Sequence, residues 1–391
     1  MSLSPSVARF DFAPPDGGAC DILIVAGEHS GDEQAARMLK GALAANPGLR
    51  VCAFGGGSLA SAGAQLLFDM TAFSVVGLFE VLKNYSFFKK LSESIVDWID
   101  KYRPAVVCLV DYPGFNLRLA SALKRRAISA KGGGSVRVVY YIGPQIWAWK
   151  AGRRFEMAST IDDIALIFPF EPACYADTSL TAHFVGHPFL DASYENPLYF
   201  DSNAEILLLA GSRLAAVSRI FPKMLQTLRL LPEVRAAAPY PTEEILAVMK
   251  AEAARFPDVA GRVRFVGNRA GRIGARAVMM SSGTMSLACC LAGIPGLIVY
   301  VANPFTYFVG RMLVKVKYLG IANILLDRPA WPEFIQFAAS AQKMAERMRA
   351  CLSGPECAER AARDAGELKR ILHSPPKMSA GEWLAGQCSR G

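Results

Sequence analysis

Apolar residues along this chain gather in short unbroken runs, each closed by glycine, proline or polar residues and followed by a stretch with helical spacing. The clearest run is Val106 to Val110, where no polar residue alternates with the apolar ones. That is the pattern of a strand buried on both faces of a parallel sheet. Asp111, Tyr112, Pro113 and Gly114 close it, and Asn116 to Arg126 returns at helical spacing with its basic residues in the last turn. Asp21 to Ala26 behaves likewise, with a loop from Gly27 to Asp32 and a helix from about Glu33 to Ala45. Val51 to Phe54, Val136 to Ile142, Ile164 to Phe168 and Phe184 to Val185 add strands to the first half. The second half repeats the layout: Glu205 to Leu209 leads through Gly211, Ser212 and Arg213 into a helix ending near Leu231. Val263 to Val266, Ala277 to Met280 and Leu297 to Val301 read as its further strands, with a short helix from Thr284 to Ala292 and a charged helical pattern to about Leu372. Strands alternating with helices predict an α/β fold with open parallel sheets in two halves of like layout.

At 391 residues the chain exceeds one ordinary core and fits two domains. The polar segment Asp191 to Asn203, interrupted by Pro197, is the natural linker. The predicted division is a loose tail over 1–19, a first domain over 20–192, a second over 203–345, and a C-terminal helical segment and tail over 346–391 that could cross back to the first domain. Hydrophobic content of 52%, a mean hydropathy of +0.24 and only 20% charged residues point to large buried sheets plus some exposed apolar surface. A net charge of +9 favours an anionic partner, either phosphorylated substrates or an acidic membrane face. Nucleic acid is disfavoured, because no basic arm, zinc-finger spacing or recognition-helix pattern is present. The nine scattered cysteines contain no Cys-x-x-Cys and read as reduced core residues of a cytosolic protein. Met1 to Gly18 holds no apolar stretch of signal-peptide type. Ala277 to Gly310 is free of charge, yet Gly293, Pro295 and Gly296 divide it into helix, turn and strand, which argues against a membrane span.

Candidate chemistry sits where the runs end. In open α/β sheets ligands bind beyond the carboxyl ends of the strands, so Asp111 is placed to take a proton from a bound hydroxyl. The competing reading makes it a plain turn cap. Gly211, Ser212 and Arg213 offer N–H groups, a hydroxyl and a guanidinium, the parts of a pyrophosphate clamp. Ser281 to Thr284 is a second anion-friendly helix start, where Thr284 alternatively serves as an N-cap. The loop from Gly27 to Asp32 lacks the Gly-x-Gly-x-x-Gly fingerprint, so a dinucleotide site is not supported. Trp147 and Trp149 suit a sugar or lipid platform or an aromatic core. His183 and His187 fall on a strand and loop, against a metal site. Val75 to Leu91 mixes Leu78, Phe79, Phe87 and Phe88 with Lys83, Lys89 and Lys90, which fits a membrane-surface helix or an amphipathic helix packed on its sheet.

Taken together, AGEHSGD (26–32), VVGLFEVL (75–82), DYPGFN (111–116), YYIGPQIWAWK (140–150), PFEPACY (169–175), FVGHPFLD (184–191), GSR (211–213), SSGT (281–284) and the stretch 303–336 resemble the lipid-A-disaccharide synthase family. These are GT-B glycosyltransferases of family 19, with two Rossmann-like, doubly wound domains facing across a cleft. The resemblance runs from about residue 21 to 340, in order, through both halves. It implies inverting transfer from UDP-2,3-diacylglucosamine to 2,3-diacylglucosamine 1-phosphate, giving a β-1,6-linked disaccharide 1-phosphate and UDP in lipid A synthesis. It implies Asp111 as general base for the acceptor 6-hydroxyl and Arg213 as the group that offsets charge on departing UDP. Glu28, Ser30, Asp32, Glu80, Asn116, Gln145, Trp147, Gly211, Ser212, Ser282, Gly283, Thr284, Asn323 and Glu333 carry over as substrate-binding positions. No metal and no cofactor are implied. The resemblance also places the enzyme peripherally on the cytoplasmic face of the inner membrane, with Val75 to Leu91 and Phe305 to Lys317 as docking surface.

The chain departs from the family pattern at several positions. Gly114 stands where many members carry an aspartate, Ala216 where a glutamate follows the Gly-Ser-Arg turn, and Ala288 where a glutamate is expected at the ribose. Gly143 replaces a usual serine, and 236–274 is short around one expected strand. Two further readings follow: another UDP-N-acetylglucosamine GT-B enzyme such as a 2-epimerase, or a paralogue that binds acylated sugar phosphates without turnover.

Overall fold

A computed structural model describes residues 10–73, 85–191, 194–267, 271–303, 307 and 316–388. Its contacts divide the chain into two units, Met1–Pro188 with Ser374–Gly391, and Phe189–His373.

The first unit is built on a parallel sheet of β1 (Ile22–Ala26), β2 (Val51–Gly55), β3 (Gln65–Asp69), β4 (Val106–Val110), β5 (Arg137–Tyr141), β6 (Asp163–Leu166) and β7 (Thr181–Phe184), in the order β3-β2-β1-β4-β5-β6-β7. Its helices are α1 (His29–Ala45), α2 (Gly57–Ser61), α3 (Tyr85–Tyr102), α4 (Pro113–Arg125) and α5 (Arg153–Thr160). The unbroken apolar runs have a direct cause, since alternate residues of one strand enter two different cores. Val107 and Leu109 join Leu91, Ile95 and Trp98 on one face, while Val106, Cys108 and Val110 join Ala35 and Leu39 of α1 on the other. Burial on both faces removes any polar alternation.

The second unit holds β8 (Leu198–Phe200), β9 (Ile206–Leu209), β10 (Ala236–Tyr240), β11 (Val263–Gly267), β12 (Ile273–Ala275), β13 (Val278–Ser281), β14 (Gly296–Tyr300) and β15 (Glu333–Ile335). The main parallel sheet has the order β11-β10-β9-β13-β14-β15, and β8 pairs with β12 beside it. The helices are α6 (Leu214–Arg229), α7 (Glu243–Ala254), α8 (Pro257–Ala260), α9 (Thr284–Leu291), α10 (Ile321–Leu326), α11 (Ala341–Leu352) and α12 (Glu356–Leu372). The expected linker therefore contains a strand, β8, whose partner β12 lies 75 positions on, where Leu198 pairs with Ile273.

The chain's last described helix, α13 (Ala380–Gln387), packs on α1 in the first unit. The indole of Trp383 donates to buried Asp163 at 2.8 Å, and Arg137 donates to Gln387 at 3.0 Å. No described helix is long and apolar enough to cross a membrane.

In both main sheets the first strand has the second on one side and the fourth on the other. The direction of winding therefore reverses between β1 and β4, and again between β9 and β13. A crevice opens at the carboxyl ends of such neighbouring strands.

Candidate active site

In the first unit, β1 and β4 run side by side, with Ala26 opposite Val110, and both end at the reversal point. Gly27 and Glu28 follow β1, and Asp111 follows β4. The helix after β1 begins at His29, four residues earlier than the sequence suggests, so Ser30 and Asp32 belong to its first turn. The polar letters that read as loop serve tertiary contacts. Asp32 is 2% exposed, and its carboxylate accepts the N–H groups of Gly56 at 2.7 Å, Ser58 at 2.9 Å and Leu59 at 3.3 Å. The side chain predicted to meet substrate instead holds the start of α2 against α1.

Asp111 and Tyr112 take left-handed backbone angles, with φ of 45° and 47°. Non-glycine residues there cost about 1–3 kcal/mol each and persist only where the surroundings over-determine them. Here they do. The Asp111 N–H donates to the Tyr141 carbonyl at 3.0 Å. The Asp111 carbonyl accepts from the Tyr140 hydroxyl at 2.5 Å and from Asn116 Nδ2 at 2.7 Å, and Nδ2 also donates to the Val110 carbonyl at 3.1 Å. Burial, and next the negative charge of Asp111, push the Tyr140 hydroxyl well above its ordinary pKa, so it stays a donor. The Tyr112 ring lies over Gly27, where a Cβ would come within 2.3 Å of Tyr112 Cδ1, so only glycine fits. A Cβ on Gly31 would stand 3.9 Å from Asp111 Cβ, which puts the half-buried aspartate beside the first turn of α1. Asn116 is thus a support of the Asp111 turn, buried behind it.

Gln145 is exposed in the turn after β5. Trp147 stands next to it, with its indole donating to Glu171 at 3.0 Å and its ring edge-on to Phe168 and Phe170. Glu171 is 2% exposed; burial pushes its carboxyl up to about 7, against the opposing pull of the Phe168 and Ile167 N–H groups and the Trp147 indole. The His187 ring lies tilted beside Phe168 with centroids 5.3 Å apart, and burial lowers its pKa to about 4. Trp149, Phe155 and Phe170 are exposed at the surface nearby; Lys150 and Arg153 lie over the Trp149 ring, and Arg154 over Phe155. Residues 75–84, including Glu80, and most of Phe305 to Lys317 lie outside the described residues. Within the rest of the expected docking stretch, Phe87 and Phe88 pack against the core, with Phe87 edge-on to Phe10 at 5.2 Å. Both rings are half-buried, so part of their apolar surface is taken up by the core.

In the second unit the reversal point lies between β9 and β13, with Leu209 opposite Met280. Gly211 turns the chain with φ of 110°, and a Cβ on it would lie 3.2 Å from Ser281 Oγ, so the loop after β9 lies against the end of β13. Ser212 and Arg213 are exposed, and Arg213 is the N-cap of α6. After β13, Ser282 is half-buried, and Gly283, not Thr284, is the N-cap of α9. Neither helix has an acidic residue in its first turn. Two helix starts with unneutralised N–H groups, beside a serine and an arginine, make an anion-binding surface. Ala288 is fully buried, and its carbonyl accepts from Asn196 at 2.8 Å.

Asn323 and Glu333 are engaged with each other and with the backbone. Asn323 Nδ2 donates to Glu333 and to the Trp331 carbonyl, and its Oδ1 accepts the Trp331 N–H. Glu333 also accepts the Leu319 and Gly320 N–H groups at the start of α10. Their polar atoms build the connection to β15, at odds with a substrate-binding assignment. Sequence reasoning missed Tyr140 and Glu171 as supports. A tyrosine inside a fully buried strand was the available signal, because a buried hydroxyl needs a partner.

The sequence profile of the lipid-A-disaccharide synthetase family matches residues 22–380. Lipid-A-disaccharide synthase 1 of Legionella pneumophila strain Philadelphia 1 is 33% identical over 371 residues, covering 91% of this chain and 94% of the relative. Lipid-A-disaccharide synthase of Syntrophus aciditrophicus is 33% identical over 348 residues, covering 86% and 89%. Among solved structures, a putative UDP-N-acetylglucosamine 2-epimerase from Listeria monocytogenes superposes with a TM-score of 0.60 at 10% identity, covering 92% of this chain and 99% of that one. Anabaena HepE, solved with UDP and glucose, gives a TM-score of 0.52 at 11% identity over 94% and 99%. At such identities the solved structures speak for the fold alone, that of the GT-B glycosyltransferases.

Proposed function

Because the chain belongs to the lipid-A-disaccharide synthetase family, matched over residues 22–380, we propose that it is the hexosyltransferase that forms the lipid A disaccharide. The donor in this reading is UDP-2,3-diacylglucosamine and the acceptor 2,3-diacylglucosamine 1-phosphate. The acceptor 6-hydroxyl attacks the donor's anomeric carbon from the face opposite the leaving group. Asp111 takes the hydroxyl proton, the new C–O bond forms as the bond to the diphosphate breaks, and UDP leaves with the bonding pair. Inversion gives the β-1,6 linkage. Arg213 and the first-turn N–H groups of α6 and α9 offset charge on the departing diphosphate. Glu28, Ser30, Gln145 and Trp147 stand on the acceptor side, and Ser212, Ser282 and Thr284 on the nucleotide side.

The observation that carries this reading is the strained, hydrogen-bonded turn that holds Asp111 at the end of β4. The test is incubation with the two diacylated substrates. UDP release together with a disaccharide 1-phosphate supports it; UDP binding without product would favour a non-catalytic paralogue, the reading motivated by Ala216 and Ala288.

The enzyme works, on this proposal, at the membrane face where acylated substrates reside. The exposed set Trp149, Phe155 and Phe170 with Lys150, Arg153 and Arg154 has the composition of an interfacial anchor. Vesicle sedimentation checks it. Binding should favour phosphatidylglycerol vesicles over neutral ones and drop in a Trp149→Ala, Phe155→Ala double variant; equal binding to both lipids would remove the electrostatic part.

A further inference from the structure

In the second unit, a cavity of about 710 Å³ lies at the amino ends of β13 and β14, the sheet end opposite the Gly211 and Ser281 loops. That volume falls within the range of about 300–1,000 Å³ of small-molecule sites. One wall is a face of α12, where Ala358, Ala362, Ala365 and Lys369 recur at helical spacing. Three small side chains line this wall, with the backbone of Ala362 close to the Gly293 turn. From Pro355 to Lys369 the lining runs 14 residues, roughly 21 Å at the helical rise, so the cavity is a groove. Leu291 at the end of α9, Leu352 and the half-exposed Phe200 supply apolar surface facing it.

The groove's charge is unbalanced. Arg276, just before β13, lines it, and its Nε is buried without a hydrogen-bond partner. A buried donor left unmade is costly until an acceptor arrives. Among the described residues neither Arg276 nor Lys369 has an ion pair, whereas Glu359, the carboxylate in the lining, lies 4.0 Å from Arg363. A mainly apolar groove about 20 Å long with an unpaired guanidinium in its wall matches one kind of molecule. We infer that this groove binds a single-chain amphiphilic anion, with its alkyl or acyl chain along the alanine face of α12 and its carboxylate or phosphate on Arg276. Lys369 adds to the positive potential. The site is separate from the nucleotide loops, so it does not depend on the proposed reaction.

Calorimetric titration of the full chain with dodecyl phosphate, kept below its micelle concentration, tests this. One saturable site is expected, with dodecyl maltoside and inorganic phosphate each binding at least roughly tenfold more weakly, because each lacks half of the recognition. Arg276→Gln should weaken dodecyl phosphate binding by about tenfold, the usual value of a charge-assisted hydrogen bond. Ala362→Trp should abolish it by filling the channel. Ala358→Leu provides a second, milder block, with the melting temperature as the check on folding. Binding that survives both blocking variants would place the ligand elsewhere and overturn the proposal. So would equal affinity for the maltoside, or a self-association abolished by Ala362→Trp, which would make the occupant a second copy of the chain.

Discussion

The two units wind their sheets alike but hold the residues beyond the reversal point differently. In the first, Asp111 and Tyr112 sit in left-handed backbone fixed by Tyr140, Asn116 and the Tyr141 carbonyl, and the neighbouring Asp32 is buried against α2. In the second, Gly211 makes the turn at no steric cost, and Ser212, Arg213, Gly283 and Thr284 are exposed. The difference matches what the proposed reaction asks of each side. A general base has to reach one proton within hydrogen-bond distance, so its position is worth backbone strain. A diphosphate is gripped by several N–H groups and a long guanidinium, which adapt without a fixed frame.

Asp111→Asn is the strongest way to break that comparison. Asparagine tolerates positive φ and leaves the backbone hydrogen bonds in place, so the fold should persist while turnover falls by ~10² or more. Product formation with a parallel melting curve decides; near-normal activity in a folded variant would end the assignment of Asp111. Arg213→Ala comes next. Loss of one charge-assisted contact of about 1.5–3 kcal/mol predicts donor use reduced by roughly ten- to a hundredfold with acceptor KM held, read from steady-state kinetics with each substrate varied. An unchanged donor KM and kcat would remove the clamp.

The positions of Asp111 and Arg213 were legible in the sequence because they follow the most legible strands. Val106–Val110 and Ile206–Leu209 are buried on both faces, so their apolar letters are continuous and their ends sharp. Strand β10 was not legible. Its letters, Ala-Ala-Ala-Pro-Tyr, carry little strand preference, and it exists because β9 and β11 flank it. The same segment, 236–274, which reads as short around one expected strand, holds β10, β11 and the start of β12. Helix α1 hid its start because Ser30, Gly31 and Asp32 read as loop, although the Asp32 carboxylate points to another element. Motif matching could not separate the two uses of a polar side chain either. Asn323 and Glu333 hold each other, a pairing ten residues apart that only coordinates reveal.

A smaller effect sharpens the contrast in rigidity. Tyr140→Phe removes one of the two donors on the Asp111 carbonyl and leaves Asn116. At about 1 kcal/mol for the lost hydrogen bond, kcat should fall by roughly fivefold with both KM values nearly unchanged. A purely structural tyrosine would lower the melting temperature and leave kcat per folded molecule alone.

In the native protein the smallest expected effect is a pH slope in stability, because in the first unit Glu171 and His187 act in opposition. Glu171 keeps its proton in the folded chain up to about pH 7, while the unfolded chain releases it near 4.5, so stability falls as pH rises through that window. His187 stays neutral in the folded chain down to about pH 4, while the unfolded chain takes up a proton near 6.5, so stability falls as pH drops through that window. Between 4.5 and 6.5 the two slopes, each of up to about 1 kcal/mol per pH unit, largely cancel in the native protein. Glu171→Gln should uncover the histidine, giving stability that climbs with pH across this range, and His187→Phe should uncover the glutamate, giving stability that declines. Urea midpoints measured at intervals from pH 4.5 to 6.5 compare the three proteins. Because the expected slopes have opposite sign, parallel curves for both variants and the native chain would show that the cluster around Trp147 is wetter and softer than its packing implies.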